Sequence, residues 1–484
     1  MSIVQQTEAS LAQEYLENNP GLTELEAIFL ANSTIFLADF WASRVTLLQE
    51  GLSSFIQGVK KISEGYFMKS FRLFLEDFDR ALMQNASVRK RYKVVRTQSR
   101  TLETSLGTLT YKRRYYRNRL TKEYVYLLDD LLQILPRSRV TQELQVELFE
   151  AASKHSYRES CEIACQGRIS PTTCKNLFHK VVIPENLVAF PDLPSPEVLH
   201  IHADEDHVAR QDQGYSSEVR MVVITTGAVR KGKKSVLQNK HYVFTADESP
   251  EDFWRRVREA IDEIYGEGER KIYLHGDGAA WIKRGLRELK VSKWVLDRFH
   301  LTQYLKKLSR GDGKVYQALM SFVMQKDKTG MTLYLDELSK TTTASPEDFQ
   351  KWRTYVLGNW TGAMTAYHDP DAGSSCAEGL VSNHLSCRLS SRPKAWVQRG
   401  LSQMAKLLEY RLNGGDFKDL IFDPREIQEI NSDSEILTAS DIPEICGCKP
   451  LPGCLLAMPS QLLCEPKVST RRLLFLNITE GRRF

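Results

Sequence analysis

A chain of 484 residues with a formal charge of +5, 42 % hydrophobic and 26 % charged residues, has the balance of a folded globular protein with two or three domains. No run of about 18 apolar residues stands out, and MSIVQQTEAS is not a basic segment followed by an apolar one, so neither a membrane span nor a secretory leader is expected. Nine irregularly spaced cysteines do not form a disulfide framework, and a reducing cytoplasm is the expected location.

Residues 1–85 read as an N-terminal helical region, with apolar residues three and four apart through FIQGVKKISEGYFMKSFRLFLEDFDRALM. Charge then concentrates. From Arg89 to Glu123 twelve Lys and Arg stand against two Glu, interleaved with tyrosines, a mixture suited to phosphate contact and base stacking or to a solvated basic face. Alternation in TLETSLGTLTYKRRYYR about Gly107 predicts a β-hairpin, whose Lys112, Arg113, Arg114 and Arg117 are candidate DNA contacts.

Short helices follow over 141–182. Ser156 with Glu159 makes a capping box for one, and Gly167 stops it. Ser170-Pro171 opens the next with a cap residue and proline at the first helical position. The pair matches a helix-turn-helix, whose second helix would offer Thr172, Thr173, Lys175 and Asn176 to DNA; a plain helical hairpin fits the same pattern. Residues 86–182 therefore read as a DNA-binding region, and 183–197, with four of seventeen prolines, as a linker.

Beyond it the pattern turns α/β. VLHIHADEDHVAR, EVRMVVITTG and KHYVFTA predict three consecutive strands. A helix capped by Ser249, the strand KIYLHGD, the helix GAAWIKRGLREL and the strand KWVLDRFHL follow. That order is the order of a ribonuclease-H-like fold. Residues 301–375 read as a helical insertion, 376–412 as helix again, and 413–484 as a proline-broken C-terminal region without an assignable role.

Alternate strand residues share a face, so His200, His202, Asp204 and Asp206 are expected on one side of the first strand and Leu199, Ile201 and Ala203 on the other. Carboxylates on a core strand need a metal or cations beside them, unless the strand end emerges into solvent. Asp277 ends a second strand between Gly276 and Gly278, a ligand position that also serves as a helix cap. Asp297 and His300 form D-x-x-H after a third strand, read as a buried pair in which the acid orients the imidazole. Glu378 is the fourth acid, on a helix beside the sheet.

HADEDHVARQ, LHGDGAAWIKRGL, VLDRFHLTQYL and CAEGLVSNHLSCRLSSRP, in that order, resemble the ISLre-type bacterial insertion-sequence transposases, related to the Mutator-like group with a DDE catalytic core. The resemblance extends over about residues 90–412. It implies a multidomain α/β protein with a ribonuclease-H-like core over 198–412 and a DNA transposase that binds terminal inverted repeats, then cleaves DNA and transfers strands. Mapped by motif, the catalytic and metal-binding acids are Asp204, Asp277 and Glu378, with Asp206 the alternative first acid, and the C/D-x-x-H signature falls on Asp297 and His300. The 101-residue gap from Asp277 to Glu378 suits an all-helical insertion.

Two Mg²⁺ ions, or Mn²⁺ in their place, would suit such carboxylates. Arg388, Ser390, Ser391 and Arg392 of RLSSRP would then hold a DNA strand, or Arg388 and Arg392 would merely face a helix C-terminus. Implied partners are element ends, target DNA and at least one second copy, in the cytoplasm on chromosomal DNA. Cys446, Cys448, Cys454 and Cys464 match no common knuckle, and no zinc is expected. A silenced DNA-binding derivative and a stand-alone ribonuclease-H-like nuclease are the competing readings.

Overall fold

The computed structural model describes residues 7–185, 190, 195–212, 214–232, 234–391 and 395–422. Cys446, Cys448, Cys454, Cys464 and Arg392, together with most of the 183–197 linker, lie outside them.

Helices α1 (Glu8–Asn18), α2 (Glu24–Ala42), α3 (Arg44–Glu50) and α4 (Leu52–Gln84) open the chain. Thr23 and Glu26 close a capping box at the head of α2. The stretch 24–50 is, by length and composition, long and apolar enough to cross a membrane, contrary to the expectation that no such segment exists. After α5 (Ala86–Arg91) come the hairpin strands β1 (Tyr92–Glu103) and β2 (Thr108–Asn118), paired antiparallel as their alternation predicts, with β3 (Tyr124–Val125) on the far edge. Tyr111, Tyr116, Leu102 and Leu109 of the hairpin pack on Leu75, Phe78 and Leu82 of α4 and on Leu127 and Leu128 of α6 (Leu127–Leu131). The end of α4 is thus part of the hairpin's core, and no domain boundary falls at residue 85.

Helices α7 (Gln142–Ala152), α8 (Tyr157–Cys165) and α9 (Pro171–Phe178) follow. The Ser156–Glu159 capping box and the Ser170 cap form as their sequences dictate.

The central sheet has the order β10-β9-β4-β5-β8, built from β4 (Val198–Val208), β5 (Ser217–Thr225), β8 (His241–Thr245), β9 (Lys271–Gly276) and β10 (Lys293–Leu296). β5 runs antiparallel to β4 and β8, while β9 and β10 run parallel to β4. A separate hairpin, β6 (Gly227–Lys231) with β7 (Lys234–Gln238), intervenes where no strand was expected. Leu199, Ile201 and Ala203 meet α10 (Pro250–Tyr265) and α11 (Ala280–Glu288) on one face. On the other, Val208, Val219, Met221 and Val223 share a core with α7, α8, α9 and with α19 (Gln398–Leu412) and α20 (Phe417–Ile421). The α8–α9 pair is therefore not a domain apart from the sheet. Cys161, Cys165 and Cys174 are buried in this joint core, as simple packing of small apolar side chains requires.

Between β10 and the last helices, α12 (Arg298–Ser309), α13 (Gly313–Gln325), α14 (Lys328–Thr341), α15 (Pro346–Gly358) and α16 (Trp360–His368) build an all-helical layer with its own core around Leu305, Leu319, Met331 and Val356. Then come α17 (Ala377–Val381), a π-helical turn over Ser382–Ser386 and the short α18 (Cys387–Leu389).

Gly285 of α11 shows how tightly the helical face is set. A Cβ there would lie 2.6 Å from the buried Trp254 ring, whose Nε1 donates to the Trp281 carbonyl at 2.7 Å. Helix propensity alone makes Gly285→Ala stabilising by about 1 kcal/mol. The clash reverses the sign, and the expected result in urea unfolding is a loss of about 1–3 kcal/mol.

Candidate functional site

Strand register assembles the site. β4 and β9 are parallel with His202 opposite His275, so Asp204 and Asp277 each lie two residues beyond a matched pair, side by side, Asp204 within β4 and Asp277 just past the end of β9. β10 places Leu296 opposite Gly276, so Asp297 is level with Asp277 on the next strand. Three aspartates thus line one rim, the position where open α/β sheets bind ligands.

Each is held differently. Asp204 Oδ1 accepts the Glu205 amide at 2.9 Å, and the remainder of its carboxylate is without a protein hydrogen bond among the described residues. Burial, with the charges of Glu205, Asp277 and Asp297 nearby, pushes its pKa up to about 7. Asp277 Oδ1 accepts the Ala279 amide at 2.8 Å. Its turn needs both flanking glycines: a Cβ on Gly276 would sit 2.9 Å from Ile282, and Gly278, at φ +92°, lies against the Asn359 amide. Asp297 is buried, but its carboxylate caps α12 by accepting the Phe299 amide at 2.8 Å. His300 packs its ring on Phe299, so the expected Asp297–His300 pair is not formed among the described residues.

The two candidate first acids differ in their partners. Asp206 is on the same face as Asp204, but Ser390 Oγ donates to both its oxygens, at 2.9 and 2.8 Å. Asp206 thus ties β4 to the end of α18, and Ser390, expected on DNA, is committed to that tie. Arg388 is corrected likewise: it is buried, with Nε donating to the Ala152 carbonyl at 2.6 Å and its guanidinium over the Trp396 ring. Ser391 is exposed.

Glu378 is exposed on α17, which packs against β4. The helix begins beside the rim: burial pushes the thiol of its cap residue Cys376 up to about 12, with the Asp297 charge adding to the effect. The carboxylate itself is not drawn in. Among the described residues no group of three or more His, Cys, Asp and Glu side chains stands ready to hold a metal ion. The expected three-acid ligand set is to that extent not assembled among the described residues. Among the described residues no Lys or Arg forms an ion pair with Asp204, Asp277 or Asp297. Asp204 and Asp277 offer carboxylate oxygens only, donors of the type a hard divalent cation would take.

The neighbours that sequence reasoning missed come from two places. From the helical layer, the Tyr355 hydroxyl donates to the Asp277 carbonyl at 2.5 Å, and its ring stacks on Tyr304 with centroids 3.7 Å apart. No local pattern in KWRTYVLGNW marks that role. Beneath the rim, the His202 and His275 rings stack 4.5 Å apart, and His200 Nδ1 is 3.2 Å from His275 Nε2. Burial lowers all three pKa values, that of His202 to about 3. These imidazoles are neutral and do not offset the acids.

The basic hairpin divides in two. Arg113 is buried against Asp129 and the Tyr126 ring, and Arg114 pairs with Asp79 of α4, so both leave the expected DNA-facing set. Lys112 and Arg117 are exposed. In α9, Thr172, Thr173 and Asn176 are exposed and Lys175 partly so. Between the two elements lies a groove of about 660 Å³ lined by Thr101, Arg139, Arg168, Ser170 and Thr173, among others.

The Asp204 shift has a signed consequence. The folded state holds this proton more tightly than the unfolded chain, so the group's contribution to stability falls as pH rises from about 4 to about 7 and then levels off. Asp204→Asn should be the more stable protein at pH 8, by on the order of 2–4 kcal/mol after allowance for screening, with the gap narrowing toward pH 4.5 in urea unfolding. A gap that widens on acidification would contradict the assignment.

A family model described as an uncharacterised protein family, UPF0236, matches residues 47–426. A UPF0236 protein of Caldanaerobacter subterraneus subsp. tengcongensis, whose name joins eleven locus designations, is 32 % identical over 424 residues, covering 87 % of this chain and 90 % of the relative. Another from the same organism, whose name joins four, is 32 % identical over 424 residues, with the same coverage. A Streptococcus gallolyticus UPF0236 protein, named for the vanSb 3′ region, is 22 % identical over 365 residues, 72 % of this chain and 80 % of its own.

Proposed function

The chain belongs to the uncharacterised family UPF0236, and from that premise together with the acidic rim we propose that it is a DNA transposase of the ISLre type, cutting and joining DNA on a ribonuclease-H-like core. The observation that carries this is the register: Asp204, Asp277 and Asp297 level on three neighbouring parallel strands, with burial and the nearby acids raising the Asp204 pKa to about 7. Support for the core comes from the strand order, three antiparallel strands followed by two parallel ones on the far side of the first, with the helical layer inserted before α17. A relative's name that joins eleven locus designations fits a sequence carried in many copies, as a mobile element is.

In this reading Asp204 and Asp277 hold Mg²⁺ or Mn²⁺, with Glu378 supplied from α17. The bound cations supply Lewis-acid stabilisation of the charge that develops on the phosphate. The protein's own work is positioning. Tyr355 and the glycine pair set the Asp277 carboxylate, Ser390 keeps Asp206 out of the site, and the exposed hairpin and α9 surface takes the DNA backbone.

Strand transfer with the cognate element ends and Mg²⁺ tests the chemistry: Asp277→Asn should lose more than about a hundredfold in rate, the scale on which support of a metal is lost. Equal rates in wild type and variant reject the enzyme. For the DNA surface, Lys112→Ala and Arg117→Ala should each lower the salt slope of log K by about 1, the signature of one lost phosphate contact. Slopes that do not change would remove the hairpin from the interface.

A further inference from the structure

Helix α4 carries an apolar stripe that is uncovered among the described residues. Leu52, Ile56, Phe67, Phe71 and Phe74 are 51–62 % exposed. At 3.6 residues per turn they fall within an arc of about 100° and run for about 33 Å along the helix. Helix α2 packs along one edge of the stripe: Tyr66 stacks on Phe36 of α2, with centroids 4.5 Å apart, and Ser70 accepts from Asn32. Exposed Leu37, Trp41 and Leu48 of α2 and α3 continue the apolar surface at the hairpin tip.

We propose that this stripe is the contact between two copies of the chain, packed with their α4 helices antiparallel about a two-fold axis at Ser63. Two observations select a second copy. The first is area: these eight side chains expose on the order of 1,000 Å², taking roughly 150–250 Å² for a large side chain, against about 800 Å² per partner in a standard interface and a few hundred for the patches of a monomer. The second is self-complementarity. With the axis at Ser63, a small residue at the centre of the stripe, Leu52 of one copy falls opposite Phe74 of the other and Val59 opposite Phe67. The same axis sets Ile56 opposite Ser70 and Phe71 opposite Phe55, each contact repeated by the two-fold as an isologous interface requires. The inference does not rest on the DNA reading.

The test uses the intact chain without DNA or detergent. Light scattering at micromolar concentration should give twice the 55.5 kDa chain mass, and Phe67→Glu with Phe74→Glu should halve it at unchanged circular dichroism. Independently of that variant's folding, Ser63→Cys should form a disulfide-linked dimer on oxidation above the wild-type background, whereas Lys61→Cys, off the stripe, should not. A wild-type mass of one chain, or a Ser63→Cys protein that stays uncrosslinked, overturns the proposal. So does sedimentation of wild type, but not of the double glutamate variant, with phosphatidylcholine–phosphatidylglycerol vesicles, which would assign the stripe to lipid. A dimer that appears only after removal of residues 423–484 would assign it to the chain's own tail and overturn the proposal equally.

Discussion

Parallel pairing of β4 with β9 and of β9 with β10 is the constraint on which the site depends. Backbone hydrogen bonds fix the stagger of these strands, and the stagger alone decides that three aspartates far apart in the chain come level at one edge. A slip of one residue in β4 would turn Asp204 toward α10 and α11 and push Ala203 into the acidic rim. The apolar face of Leu199, Ile201 and Ala203 against those helices forbids that slip. The hydrophobic effect therefore places the carboxylates, even though no carboxylate contributes to it.

Having been placed, the acids are left uncompensated while their surroundings are not. Asp206 has Ser390, Asp129 has Arg100 and Arg113, Asp79 has Arg114, and Glu409 has Arg256. Each of these acids spends its charge on holding two elements together. The histidines beneath the rim, which protonation would make into local cations, are kept neutral by burial. The contrast between satisfied structural acids and an unsatisfied rim is the strongest physical reason to look for a cation there.

The same economy governs the basic hairpin. The seven cations of its strands look alike in sequence, yet the fold buries Arg100 and Arg113 as struts for α6 and leaves Lys112 and Arg117 outside. The helical layer is likewise more than an insertion, since Tyr355 and Asn359 reach back to the turn that carries Asp277. An element some 80 residues downstream thus completes the support of a strand-end acid.

The chain by itself determined whatever depends on near neighbours. Period-two alternation specified β1, β2 and the two faces of β4, and caps such as Ser156–Glu159 and Ser170-Pro171 set helix starts to the residue. Gly276 and Gly278 announced a tight turn at Asp277. Tertiary structure decided whatever depends on which charge meets which. Arg388 became a strut to Ala152, Ser390 chose Asp206 over DNA, Asp297 capped its helix without pairing with His300, and Glu378 remained exposed. It also merged the α8–α9 pair with one face of the sheet, where a linker had suggested separate domains. The physical reason is one of range: alternation and capping are satisfied within a few residues, whereas the partner of a buried ion is set by packing between segments that local pattern does not relate.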